Sequence, residues 1–271
     1  LADNGGFGET HALAVGNLAI NAGTTTSAPT VDQRGETRDA TPDIGAYEFF
    51  PKLASTDEFL VNTTVADQQL TSGENRGSKQ AVSMASDGSY VVTWTSLNQD
   101  GSGEGVYARR FDSSGAALTA EILVNQTPTN DQQWADVESA ADGTFVVTWT
   151  SNQGADQDIY FRRFAANGSA LTAELVANDT TAGVQKDSTI AMASDGSFVI
   201  AWEGEGPGDT SGIFARRFDA TGTAVDATEF IVNSITAGSQ VNASVAMKSS
   251  RRFAEDVFPI RRSHEPFRRL C

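Results

Sequence analysis

The chain has 271 residues, 39% hydrophobic and 20% charged, which is enough apolar material for a core and excludes global disorder. Its net charge of −16 is the opposite of a nucleic-acid-binding surface, so no nucleic acid is expected as a partner. The one cysteine, Cys271, ends the chain, so no internal disulfide framework can form, and no apolar run reaches the roughly 18 residues of a membrane span.

Residues 1–50 are rich in Gly, Ala, Asn and Thr. Short apolar pieces alternate there with turn residues, predicting short strands and loops rather than helix. Arg34 and Arg38 carry planar donor forks, and Asp32, Asp43 and Glu48 offer acceptors within a short span. They are expected to form structural ion pairs that lock the segment, because a carboxylate held by arginine is poorly suited to general-acid work. His11 has no second ligand-type residue beside it and is expected to be packed or on the surface. Residues 51–56, PKLAST, read as a linker.

The segment also carries NGG, then THAL, then AI-x-AG, then DQRG-x-x-R and DIGAYE, between Asn4 and Glu48. In this it resembles the choice-of-anchor Q segment that ends bacterial right-handed parallel β-helix proteins. It departs from that family in having Asn17-Leu18 for Ser-Pro and Asn21 for Asp. The resemblance implies the end of a right-handed β-helix.

From residue 57 to 250 the sequence repeats. Asp-Gly stands at 87–88, 142–143 and 195–196, a Trp follows each Asp by seven residues, and Arg-Arg-Phe comes at 109–111, 162–164 and 216–218. Asp-Gly between apolar runs signals a hairpin. Phe145, Val147 and Trp149 alternate with Val146 and Thr148, the period of a strand. Tyr107, Arg109 and Phe111 alternate likewise, and the runs before Asp-Gly and the EFLVN-like runs at each repeat's start supply two further strands. From the Asn of that run to the Asp of Asp-Gly is 17 residues in copies two and three but 25 in copy one, an insertion around Leu70 to Lys79.

Four short strands per copy predict propeller-like blades, so the fold expected is all-β: a β-helix end segment followed by tandem four-stranded repeats. Trp94, Trp149, Trp202, Phe111, Phe164 and Phe218 are assigned to the repeat core, and the arginines to pairing with acidic loops. The units resemble the propeller-like repeats of large calcium-associated bacterial surface proteins and adhesins, and DGSGEGVYARRF at 100–111 carries the likeness.

One loop is a candidate site. Asn98, Asp100, Ser102 and Glu104 place oxygens at alternate positions with Gly103 at the sixth, resembling the front half of a calcium loop. The twelfth position holds Arg109 instead of a bidentate Glu, so a Ca2+ site and a polar hairpin tip both remain open.

A fourth copy runs in phase to Met247. Position 250, due for Asp, is Ser250, and Val257 stands where Trp is due. Residues 248–271 carry six Arg and one Lys against three acids, a basic tail read as out of frame or as an anchor. A chain beginning at Leu1 is expected to be a piece of a longer precursor, extracellular or at a cell surface.

The function expected is non-enzymatic, structural or adhesive, with calcium stabilising loops and cell-surface or extracellular polysaccharide or protein as partner. Two alternatives stand beside it: an accessory region of a polysaccharide-active β-helix enzyme, and a carbohydrate-binding propeller.

Overall fold

The structure is a computed structural model that describes residues 58–73, 76–77 and 80–247. The chain divides into two compact units, Leu1–Leu60 and Val61–Cys271. The β-helix expectation, the ion pairs of Arg34, Arg38, Asp43 and Glu48, and the basic tail fall outside the described residues.

The described part is all-β, with no helix among the described residues. In chain order the strands are β1 (Gln69–Leu70), β2 (Ser72–Gly73), β3 (Arg76–Gly77), β4 (Val82–Met84), β5 (Tyr90–Leu97), β6 (Glu104–Phe111) and β7 (Ile122–Leu123). Then come β8 (Gln132–Ser139), β9 (Phe145–Ser151), β10 (Asp158–Phe164) and β11 (Leu175–Val176). The last are β12 (Gln185–Met192), β13 (Phe198–Gly206), β14 (Asp209–Phe218) and β15 (Phe230–Ile231).

They form three antiparallel blades in simple meander order: β4-β5-β6-β7 with β1 also on β5, then β8-β9-β10-β11, then β12-β13-β14-β15. Each Asp-Gly closes a three-residue hairpin loop. Ala85 N–H bonds Ser89 O at 2.8 Å, Asp87 accepts from Ser89, and Gly88 takes φ 80°, where a side chain would be strained.

The blades bury both faces, and strand alternation decides which residue faces which neighbour. Phe145, Val147 and Trp149 of the second blade pack against Val91, Val106 and Ala108 of the first. Val146, on the opposite face of β9, packs with Phe198, Ile200 and Trp202 of the third. Burying such a Val or Phe contributes about 1.5–3 kcal/mol, so these two seams supply most of the cohesion. The fourth copy adds no strand among the described residues, but Ala243, Val245 and Met247 cover the far face of the third blade.

The copy-one insertion is visible. In the second and third blades the first strand is continuous but slips register between Gln133 and Asp136 and between Lys186 and Thr189. In the first blade the same strand is split into β1 and β4. The eight extra residues of copy one (25 less 17) fall at the position of that bulge, where β2 pairs with β3.

Arginine holds the blades together differently from the expected pairing with acidic loops. The first Arg of each Arg-Arg-Phe reaches back to a backbone carbonyl: Arg109 to Val61, Arg162 to Val124 and Arg216 to Ala177, at 2.8, 2.9 and 3.2 Å. The second reaches forward, Arg110 to Ala166 O and Arg163 to Thr221 O. Strand ends leave carbonyls without ladder partners, and guanidinium is the natural donor for them. Among the described residues, Arg217 is the member of this series that forms an ion pair, with Asp226 at 2.6 Å.

Candidate functional site

The register shows which loops share an end. Gln69, Gln132 and Gln185, at the start of each blade's first strand, pair with Ser96, Ser151 and Gly204 at the end of the second. One end of the array therefore collects the β5–β6, β9–β10 and β13–β14 loops, the connectors between blades and the first-strand bulges. The Asp-Gly turns lie at the other end.

The connectors are built by a signature that recurs in all four copies, Glu-x3-Asn-x6-Gln, at Glu58, Glu121, Glu174 and Glu229. The Asn is a plug. Asn125 accepts from Val106 N–H at 2.9 Å and donates to Asp100 and to Thr127 O, and Asn178 does the same with Ile159, Asp158 and Thr180. The Gln bonds the carbonyl three residues before it: Gln69 to Ala66, Gln132 to Thr129, Gln185 to Ala182 and Gln240 to Ala237. The Glu ties one copy to the one before it. Glu121 accepts from the N–H groups of Thr63 and Thr64, Glu174 from Gln126 and Thr127, and Glu229 from Asp179 and Thr180. Burial alone would raise the Glu121 carboxyl, but those N–H donors and Gln99 outweigh it and hold the group at about 2.

The candidate calcium loop lies at this end. Asn98 takes a left-handed φ of 60°, and its N–H bonds Gly103 O. Asp100 is taken up by the scaffold: one oxygen accepts Ser102 N–H at 3.2 Å, the other Asn125 Nδ2 at 3.0 Å. Glu104 is half-buried, and burial, then the charge of Asp131, raises its carboxyl. Among the described residues no group of three or more His, Cys, Asp or Glu side chains converges to hold a metal ion.

The repeat tryptophans are interior. Trp94, Trp149 and Trp202 are 3, 0 and 1% exposed, and Trp94 and Trp149 stack on Tyr107 and Tyr160 with centroids 6.2 and 6.1 Å apart. Phe111, Phe164 and Phe218 are likewise buried. None of the six offers a face to a ligand.

The fourth tryptophan differs. Trp134 is half-buried at the bulge of β8 and takes φ 57°. The equivalent residues are Asp187 at 53°, in the bulge of β12, and Asn242 at 61°. Asp and Asn tolerate the left-handed region; a bulky aromatic residue there is an outlier. Each stands two residues after the recurring Gln, the spacing that would have singled out Trp134, because it lies outside the Asp-Gly-to-Trp phase.

Inward from the bulge, Asp136 is fully buried and joins three blades. It accepts from Gln80 N–H in the first and Ile190 N–H in the third. Glu138 accepts from Gln80 Nε2, and burial raises its carboxyl, with Gln80 opposing and the Asp136 charge adding to the rise. Asp136 is thus a staple shut away from solvent.

No family model matches the chain, and no curated protein matches it. Among solved structures it is similar to an α-L-arabinofuranosidase from Fusarium graminearum, at 10% identity over 64% of this chain and 56% of that one, with a TM-score of 0.41. It is similar also to an α-L-arabinofuranosidase from Podospora anserina, at 13% identity over 66% and 60%, TM-score 0.37. A third is a structure from the GH130 family of mannoside phosphorylases, containing glycoside hydrolases that target β-1,2 mannosidic linkages in Candida mannan, at 14% identity over 57% and 48%, TM-score 0.35. The match spans about half to three fifths of these proteins' lengths. These similar structures are named as arabinofuranosidases and glycoside hydrolases, against the expectation of a non-enzymatic chain with a structural or adhesive role, which is corrected accordingly.

Proposed function

We propose that the repeat unit is a carbohydrate-binding module of propeller-like build, in which Trp134 offers a ring face to a sugar. The observation that carries this reading is the backbone of Trp134. Its two sister positions use residues suited to a left-handed bulge, and the second blade places there a residue whose conformation costs about 1–3 kcal/mol. Strain of this kind concentrates where a side chain must be presented to a partner. A half-buried tryptophan among loops rich in amides and carboxylates has the composition of a sugar site, an aromatic side chain ringed by hydrogen-bonding groups. A role outside the cell, where polymeric glycans are met, accords with it.

The test is Trp134→Asn, which keeps a residue at home at the bulge. Affinity electrophoresis through polysaccharide gels should show retardation of the parent chain and none of the variant, while thermal unfolding of the variant is unchanged or slightly later. Retardation surviving in the variant would sink the reading. Reducing ends measured in the same samples show whether binding is coupled to cleavage.

A further inference from the structure

We infer that the glycan taken at the Trp134 end is neutral, and that polyanionic chains such as uronates or sulfated polymers are refused. The inference rests on the carbohydrate-binding reading and adds a substrate class to it. The bulges, connectors and second-to-third-strand loops meet at that end, as the pairings of Gln132 with Ser151 and Gln185 with Gly204 require. The exposed or half-exposed side chains they carry include Asp131, Asp156, Asp179, Asp187 and Glu205, against the ammonium of Lys186. Glu205 lies over Gly183, where a Cβ would sit 2.6 Å from its carboxylate, which places that group beside the connector. The arginines of the second and third blades, which could have read an anion, are spent elsewhere: Arg162, Arg163 and Arg216 donate to backbone carbonyls, and Arg217 is paired with Asp226.

Carboxylates only accept hydrogen bonds. A neutral sugar brings hydroxyl donors to them and has nothing to repel. A uronate or sulfate ester brings charge of the same sign into a field that low salt leaves unscreened over roughly 20 Å.

The experiment compares neutral mannan, arabinan and glucan with polygalacturonate and alginate, at about 20 and 150 mM salt, by affinity electrophoresis and calorimetry. Binding to at least one neutral polymer is expected, with polyanion binding at least tenfold weaker at low salt and the gap narrowing at high salt. The double variant Asp179→Lys, Glu205→Lys should narrow the gap at low salt without changing neutral binding. Polyanions bound as tightly as neutral polymers, or more tightly, would overturn the charge inference while leaving Trp134 as a sugar platform. Absence of binding to every polymer, identical in the parent and in Trp134→Asn, would overturn the carbohydrate reading with it.

Discussion

Arg162 donates from Nη1 to the carbonyl oxygen of Val124, 2.9 Å away and 38 residues earlier, and so ties the second blade to the strand that closes the first. The same guanidinium bonds Thr172 O through Nε at 3.0 Å and lies 5.4 Å from the Phe164 ring centre. One side chain thus links its own blade to the one before it.

Replacing it tests that link. Arg162→Ala should cost about 2–3 kcal/mol, the value of hydrogen bonds from a charged donor, since a buried carbonyl loses its partner. Arg162→Lys should recover only part of this, because an ammonium cannot present two donors in the guanidinium's fixed geometry. Urea unfolding of the three proteins checks it; a lysine variant as stable as the parent would mean that charge, not geometry, matters here.

Removal of an Asn plug should cost more. Asn125 is 1% exposed, and its loss strands Val106 N–H and one oxygen of Asp100 together. Asn125→Ala and Asn178→Ala should each destabilise by about 3 kcal/mol or more, whereas Asn62→Ala, at a half-buried site, should cost about 1. Equal losses at all three positions would refute the dependence on burial. Asn125 and Asn178 also fall in Asn-x-Thr triplets. The Thr is there because its backbone and, at Thr127, its hydroxyl bond the next copy's Glu, so the triplet is a by-product of packing.

Much of the blade was legible in the residues. Asp87-Gly88 reads as a hairpin because Gly88 must take positive φ, and Phe145 to Trp149 reads as a strand because alternation separates two faces. Here both faces meet protein, so Val146 is as buried as Val147. The extra residues of copy one could be placed, though not their landing on a bulge, since the bulge leaves no mark in composition. The role of the Glu-x3-Asn-x6-Gln signature is hidden in sequence because its partners lie on other strands and in other copies: Glu121 acts on residues 57 and 58 positions away. Sequence points the arginines at acidic loops, because it displays charges and hides unpaired carbonyls. Trp134 is not legible in sequence for a related reason, since a backbone angle makes it unusual and its neighbours in sequence do not.

The bulge makes the copy-one insertion expendable. Deleting residues 72–79 joins Thr71 to Gln80 and restores the five-residue step from Gln to Val seen between Gln132 and Val137. The first strand of the first blade should then run continuously, with stability within about 1 kcal/mol of the parent, because closing a shorter loop costs slightly less entropy. Thermal unfolding of the deletion variant checks this. Loss of cooperative unfolding would show that the hairpin supports the blade.

Acid should unfasten the connectors in a defined window. The Glu121 carboxyl is held at about 2 against an ordinary value of 4.5, and Glu229 is lowered as well; in both, burial pushes upward and hydrogen bonds from the preceding copy outweigh it. A depressed carboxyl contributes stability that is complete above its unfolded value and lost as pH falls through its folded one. The contribution of Glu121 should therefore be whole above about pH 4.5 and gone near pH 2. Glu121→Gln should be less stable than the parent at pH 6, and the difference should close steadily between those limits. Taking the difference between two chains cancels the other carboxylates, which titrate in both. A gap between parent and variant that stays constant from pH 6 to 2 would mean that Glu121 holds Thr63 and Thr64 by shape, and that its charge contributes nothing.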